Sequence, residues 1–405
     1  MLVNKSFEIQ SCDDIELKLK RKNLLEYRIS YDKSKDLKAI VFIVPGFGDN
    51  QNISFLDFDR EFLAKNYSVM AVSVFHHCFA NRPGINKEEK YNAQILPTQK
   101  GLDELNRLLA SFGGGAFKRE LNAQEFKSLC FYIDELISKA SYNGDKIGIE
   151  CDLIPANDEY QNYGIMQAID HINALKDIIK HFPSLHKLPR IYAGASHGAY
   201  VSMLVAKIAP YFADGVIENS GPTLPYLPFI LGRELSQCDF YVNSFKNLLL
   251  LCTTKSLWTR NENSPFFFDE AHYLIRTLLN PAHLQSQQRT NNKTIFTHYH
   301  SLQDKGASAE HKISFHKLLK ELGFDSTLHL IKDESELDGR FIKSLEHGLR
   351  LSNKNLLKKE LPPLLKKLEN KDFKSTNNEF ELLHSCKDKN YIFQNNKDGF
   401  RLRIL

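Results

Sequence analysis

A layered α/β fold on a mostly parallel sheet is predicted for this chain by three observations. Continuous apolar runs at residues 38–44 and 68–75 are what strands covered on both faces require. These runs alternate with helical periods, and a repeated strand–helix–strand order calls for parallel strands joined by right-handed crossovers. Finally, a short apolar strand at 190–193 runs directly into Gly194-Ala195-Ser196-His197-Gly198 and then into a helical stretch at 199–206. With 405 residues, the chain is long enough for one large domain with insertions.

Taken in order, residues 7–10 and 25–29 alternate as an antiparallel opening pair does. The strand at 38–44 ends in Pro45-Gly46-Phe47-Gly48-Asp49-Asn50, a loop by composition. A helix is expected over 55–65 and a buried strand over 68–75. Residues 76–150 then interrupt the rhythm as an insertion, with helical periods over 97–111 and 123–139. Between them, Gly113-Gly114-Gly115 reads as a hinge, since no Gly-Lys-Ser/Thr follows to make a phosphate loop. A helix over 163–181 leads to the 190–193 strand, and 214–219 is the next strand. A second insertion, 222–292, carries Leu248-Leu249-Leu250-Leu251, Trp258 and Phe266-Phe267-Phe268, and is expected to cap a pocket. Strands over 294–300 and 326–331 flank a helix over 307–322. A helix from residue 353 is expected to break at Pro362-Pro363. The main domain therefore spans 1–370, with about eight strands in its sheet, and 371–405 form a hairpin-like tail.

Composition excludes several classes. The chain is 42% hydrophobic and 25% charged, with a formal net charge of +4 and acids interspersed among its bases, so no nucleic-acid surface is expected. No apolar stretch is long enough to span a bilayer, and no signal peptide is read at the N-terminus, which makes a cytoplasmic location the expectation. The seven scattered cysteines contain no C-x-x-C, so neither a disulfide framework nor a zinc site is expected. His76-His77-Cys78 is a poor chelate, because neighbours on a strand face opposite ways. The acidic run at Asp333, Glu334, Glu336 and Asp338 reads as a solvated segment. No cofactor or metal is expected.

Strand, G-x-S-x-G, helix is the nucleophile elbow of α/β hydrolases, a turn so tight that glycines must flank the serine. A serine needs a base, and the base an orienting acid, to be nucleophilic at neutral pH. In this fold the chain order is Ser, then Asp or Glu, then His. Asp304, in the loop after the 294–300 strand, is the expected acid, with Glu218 as the alternative. His347, the first histidine beyond the 326–331 strand, is the expected base, although a long loop precedes it. Two backbone donors should hold the oxyanion: the N–H of His197 and that of Phe47, in the glycine-flanked loop after the third strand. The function expected is ester hydrolysis through an acyl-enzyme. Acyl transfer or peptide cleavage by the same triad is the enzymatic alternative, and a binding scaffold with a vestigial triad the non-enzymatic one.

The PGFGDN loop, residues 153–173 (LIPANDEYQNYGIMQAIDHIN), the GASHG elbow and Leu345-Glu346-His347-Gly348-Leu349 together resemble a bacterial α/β-hydrolase family of unassigned function. The resemblance extends to about residue 385. It implies a serine-hydrolase triad at Ser196, Asp304 and His347. Through its association with flagellar and surface-glycan gene neighbourhoods, it also implies an acylated sugar as a candidate substrate.

Overall fold

The structure, a computed structural model, describes residues 1–117, 121–397 and 399–405. The chain runs through β1 (Leu2–Ile9), β2 (Leu25–Asp32), β3 (Ala39–Val44), α1 (Ser54–Tyr67) and β4 (Val69–Phe75). The 76–150 segment and its exit hold β5 (Gln94–Pro97), α2 (Gln99–Ser111), α3 (Ala123–Lys139) and β6 (Ile147–Ile154). Next come α4 (Ile165–His181), β7 (Arg190–Ala195), α5 (His197–Ile208) and β8 (Gly215–Asn219). The 222–292 segment holds α6 (Pro228–Leu231), β9 (Phe240–Val242), β10 (Leu248–Thr254), α7 (Glu270–Arg276) and α8 (Pro281–Thr290). They are followed by β11 (Ile295–Ser301), α9 (Ala309–Glu321), β12 (Asp325–Ile331) and α10 (Asn353–Leu368). Three last strands close the chain: β13 (Phe380–Cys386), β14 (Lys389–Asn396) and β15 (Gly399–Ile404).

Eight strands form the central sheet in the order β1-β2-β4-β3-β7-β8-β11-β12. β2 is antiparallel to β1 and β4, and every later neighbour is parallel. The period of two along β3 divides its side chains between two cores. Ile40, Phe42 and Val44 join the core under α4, α5 and α9, whereas Ala39, Val41 and Ile43 join the core under α1 and α10. Helices thus cover both faces, and the architecture is the α/β-hydrolase fold. The connection leaves β3 toward β4 on one side, while β7 lies on the other. The carboxyl ends of β3 and β7 therefore flank the crevice where such sheets bind ligands.

Two features depart from the sequence reading, and a third fills it out. Helix α10 is continuous through Pro362 and Pro363. An interior proline costs about 3 kcal/mol, but both prolines are exposed, and the helix buries Leu356, Leu357, Leu361, Leu364 and Leu368 against the sheet. At roughly 1.5–3 kcal/mol for each buried leucine, packing outweighs the lost backbone bonds. Leu248–Leu251 lies in a strand: β10 pairs in parallel with β6 in a second sheet of order β5-β6-β10-β9, built from both inserted segments. Helices α2 and α3 share its apolar core, in which Leu105, Ile133, Ile149 and Leu250 are buried. The tail is a three-stranded antiparallel meander. It is moored by the Tyr391 hydroxyl, which donates to Glu16 Oε1 at 3.2 Å, while Glu16 also takes a two-pronged ion pair from the buried Arg276.

No helix among the described residues is long and apolar enough to cross a membrane.

Candidate active site

Ser196 ends β7 and opens α5 with φ 54° and ψ −120°, a conformation that L residues rarely adopt. Close packing dictates the turn. A Cβ on Gly198 would lie 2.1 Å from the Val44 carbonyl oxygen, so only glycine lets α5 meet the end of β3. The Ser196 N–H donates to the Asn219 carbonyl at 2.8 Å, which levels the turn with the end of β8.

The Ser196 hydroxyl donates to His347 Nε2 at 2.8 Å, and His347 Nδ1–H donates to Asp304, 2.9 Å from each carboxylate oxygen. Asp304 lies in the loop after β11, its side chain fully buried. Its Oδ1 also accepts the N–H groups of Gly306 and Ala307, at 2.8 and 2.9 Å. Burial alone would raise the Asp304 pKa. The hydrogen bond and charge of His347, together with the Ala307 N–H, instead hold it below the ordinary carboxylate range.

The alternative acid, Glu218, is committed elsewhere. It is fully buried on β8, with its Oε1 accepting Lys312 Nζ at 2.6 Å and His298 Nδ1 at 2.7 Å. Burial opposes its charge, yet the Lys312 ammonium and His298 bring its pKa down to about 2.

The long loop before His347 is pinned at both ends. Asp338 Oδ1 accepts the N–H groups of Arg340, Phe341 and Ile342. Beyond the histidine, the Gly348 N–H donates to Ser220 Oγ at 3.0 Å, and Asn219 Nδ2 donates to the Gly348 carbonyl at 2.8 Å. The buried side chains of Ile342, Leu349 and Leu351 join the sheet core. Asn219 and Ser220, which sequence reading passed over, therefore hold the histidine loop to the end of β8.

Phe47 and His197 stand together: their rings stack at 4.1 Å with a 15° tilt, and Phe229 meets Phe47 edge-on. Neither backbone N–H donates to a protein acceptor among the described residues. The His197 ring is buried, and burial first, then the His76 and Arg82 charges, keep it neutral. Its Nε2–H donates to Gln167 Oε1 at 2.6 Å, and Gln167 Nε2 donates to the His77 carbonyl at 3.2 Å. Gln167 lies on α4 inside the 153–173 segment, but nothing in that stretch of sequence marks its amide as the link between the elbow histidine and the His77 carbonyl.

His76 and His77 are buried; burial, more than Arg21, takes the pKa of His77 down to about 3. No group of three metal-ligating side chains occurs among the described residues. A cleft of about 1130 Å³ opens at Ser196, walled by the 46–49 loop, the start of α1, the 83–85 loop and the start of α10.

Among solved structures, the chain resembles an acylaminoacyl peptidase of Pyrococcus horikoshii at 12% identity and a TM-score of 0.44, covering 92% of this chain and 42% of that one. Esterase Est22, solved with p-nitrophenol, matches at 11% identity and 0.44, over 91% of this chain and 81% of that one. A ferulic acid esterase matches at 8% and 0.42, over 90% and 98%. The likeness is distant, and the chain spans about two-fifths of the length of the peptidase. No curated protein matches it in sequence. One family profile matches residues 5–404, nearly the whole chain, and the protein belongs to that family, described as protein of unknown function (DUF2920).

Proposed function

We propose that this protein is a serine hydrolase that cleaves an ester, an O-acyl group on a sugar or small metabolite, through an acyl-enzyme. The observation that carries the reading is the unbroken chain of hydrogen bonds from the Ser196 hydroxyl through both nitrogens of His347 to the buried Asp304 carboxylate. As Ser196 Oγ attacks the carbonyl carbon, His347 Nε2 takes its proton, and Asp304 stabilises the imidazolium. The oxygen of the tetrahedral intermediate is held by the N–H groups of Phe47 and His197. When the intermediate collapses, His347 returns the proton to the departing alcohol. Water then attacks the acyl-serine by the same steps in reverse roles. Ser196 is partly exposed, which favours water over another acceptor in the second half-reaction.

A fluorophosphonate probe tests the reading. Labelling of the wild type, lost in Ser196→Ala, is expected; a folded wild type that stays unlabelled refutes it.

A further inference from the structure

The cleft beside Ser196 has walls that bear on the acyl part of the substrate. Phe47, Phe55, Leu56, Pro83, Ile85 and Leu351 give it an apolar lining. Two of these are unusual for the wall of a cleft: Phe55 is 65% exposed and Ile85 81% exposed. Exposed large apolar groups gathered at one cleft mark a binding surface more often than scattered ones do.

Ile85 is also held in place. Its N–H donates to the Gln51 carbonyl at 2.8 Å, and the neighbouring Asn86 Oδ1 accepts the Ile53 N–H at 2.9 Å. The 83–85 loop is thereby fastened to the segment that leads into α1, and the two exposed side chains are presented on a fixed frame. Such preorganisation lowers the entropy cost of binding. The charged groups of the cleft are two carboxylates, Asp49 and Asp59, against one ammonium, Lys354, a set that disfavours an anionic acyl group.

The chemistry of the triad orients the substrate. The leaving oxygen must come within reach of His347 Nε2, which protonates it. His347 is not part of the cleft wall, whereas Ser196 and the loop of Phe47 are. The group that enters the cleft is therefore the one on the carbonyl side of the scissile bond.

Resting on the serine-hydrolase reading above, we infer that this cleft is an acyl-binding subsite, with Phe55 and Ile85 as specificity-determining residues, and that the substrates carry an uncharged, apolar acyl group longer than acetyl. Burying each added methylene is expected to raise kcat/KM about fourfold until the cleft is filled.

The experiment is a series of p-nitrophenyl esters from acetate to octanoate, run on the wild type, Phe55→Ser and Ile85→Ser, with fluorophosphonate labelling of the wild type alongside. Both substituted side chains are exposed, so the variants keep their folding contacts. The expected result is a rise in kcat/KM with chain length in the wild type and a slope at least halved in each variant. A labelled wild type that prefers acetate, or variants that keep the wild-type slope, overturns the acyl subsite and leaves the triad standing. Failure of the wild type to label overturns the triad, and the subsite with it.

Discussion

Replacing Asp304 by Asn changes one atom, and the hydrogen bonds around it foretell the outcome. In the wild type, Oδ1 accepts two backbone N–H groups, those of Gly306 and Ala307. An amide NH2 cannot accept them, so the asparagine oxygen must take the Oδ1 position. The NH2 then occupies the place of Oδ2, 2.9 Å from His347 Nδ1. Oδ1 is equally 2.9 Å from Nδ1 but already accepts two N–H groups. An NH2 cannot face an N–H, so the amide donates to Nδ1 and the ring proton moves to Nε2. With Nε2 protonated, the Ser196 hydroxyl has no acceptor 2.8 Å away and keeps its proton. This wrong-tautomer penalty is worth about 10⁴ in kcat, or about 5.5 kcal/mol of transition-state stabilisation. The assay is p-nitrophenyl butyrate hydrolysis at pH 7, with thermal unfolding as the control. Because the buried cage of N–H donors is retained, Tm should move by only a few degrees. An Asp304→Asn enzyme that keeps more than a tenth of wild-type kcat refutes the assignment of Asp304 as the residue that orients His347.

Four further outcomes follow from particular features of the fold. A Cβ on Gly306 would approach His347 Nδ1 to 2.9 Å, so Gly306→Ala should displace the ring and lower kcat about 10²-fold with little effect on KM, read by steady-state kinetics. Lys312→Met leaves Glu218 buried without its cation and should cost about 3–5 kcal/mol in urea denaturation. The Glu218 carboxyl has its pKa lowered from 4.5 to about 2 by Lys312 and His298 against the pull of burial. Its contribution to stability is thus complete above about pH 4.5 and lost as pH falls toward 2, a difference of about 3 kcal/mol measurable from denaturation midpoints across that range. Pro362→Ala and Pro363→Ala restore helical N–H groups on an exposed face and should each raise stability by as much as about 3 kcal/mol, seen as a higher Tm.

Where a property was local, the sequence disclosed it. The apolar runs of β3 and β4 are buried along their whole length, and the pattern around residue 196 is a strand, a strained turn and a helix. The order Ser196, Asp304, His347 also anticipated which side chains meet. Non-local pairings stayed hidden. β6 finds its partner β10 only after α4, β7, α5, β8, α6 and β9, so nothing near Leu248 shows which strand its apolar run will pair with. The hold of Asn219 and Ser220 on Gly348 joins residues far apart in sequence, and loop length alone gave no sign of it. The continuity of α10 depended on five leucines meeting a sheet, which a rule about proline does not weigh.

The second sheet has a consequence for synthesis on the ribosome. Roughly ninety residues separate Ile154 from Leu248, and at 5–20 residues per second the β10 flank of β6 waits about 5–20 s for its complement. During that interval the nascent chain presents Ile147, Ile149, Cys151 and Leu153 beside an open edge, while the polypeptide for α4, β7 and α5 is still emerging. Whatever shields that edge, whether a chaperone or the polar residues Glu150 and Asp152 that punctuate it, must act before the elbow serine has a completed scaffold to stand on.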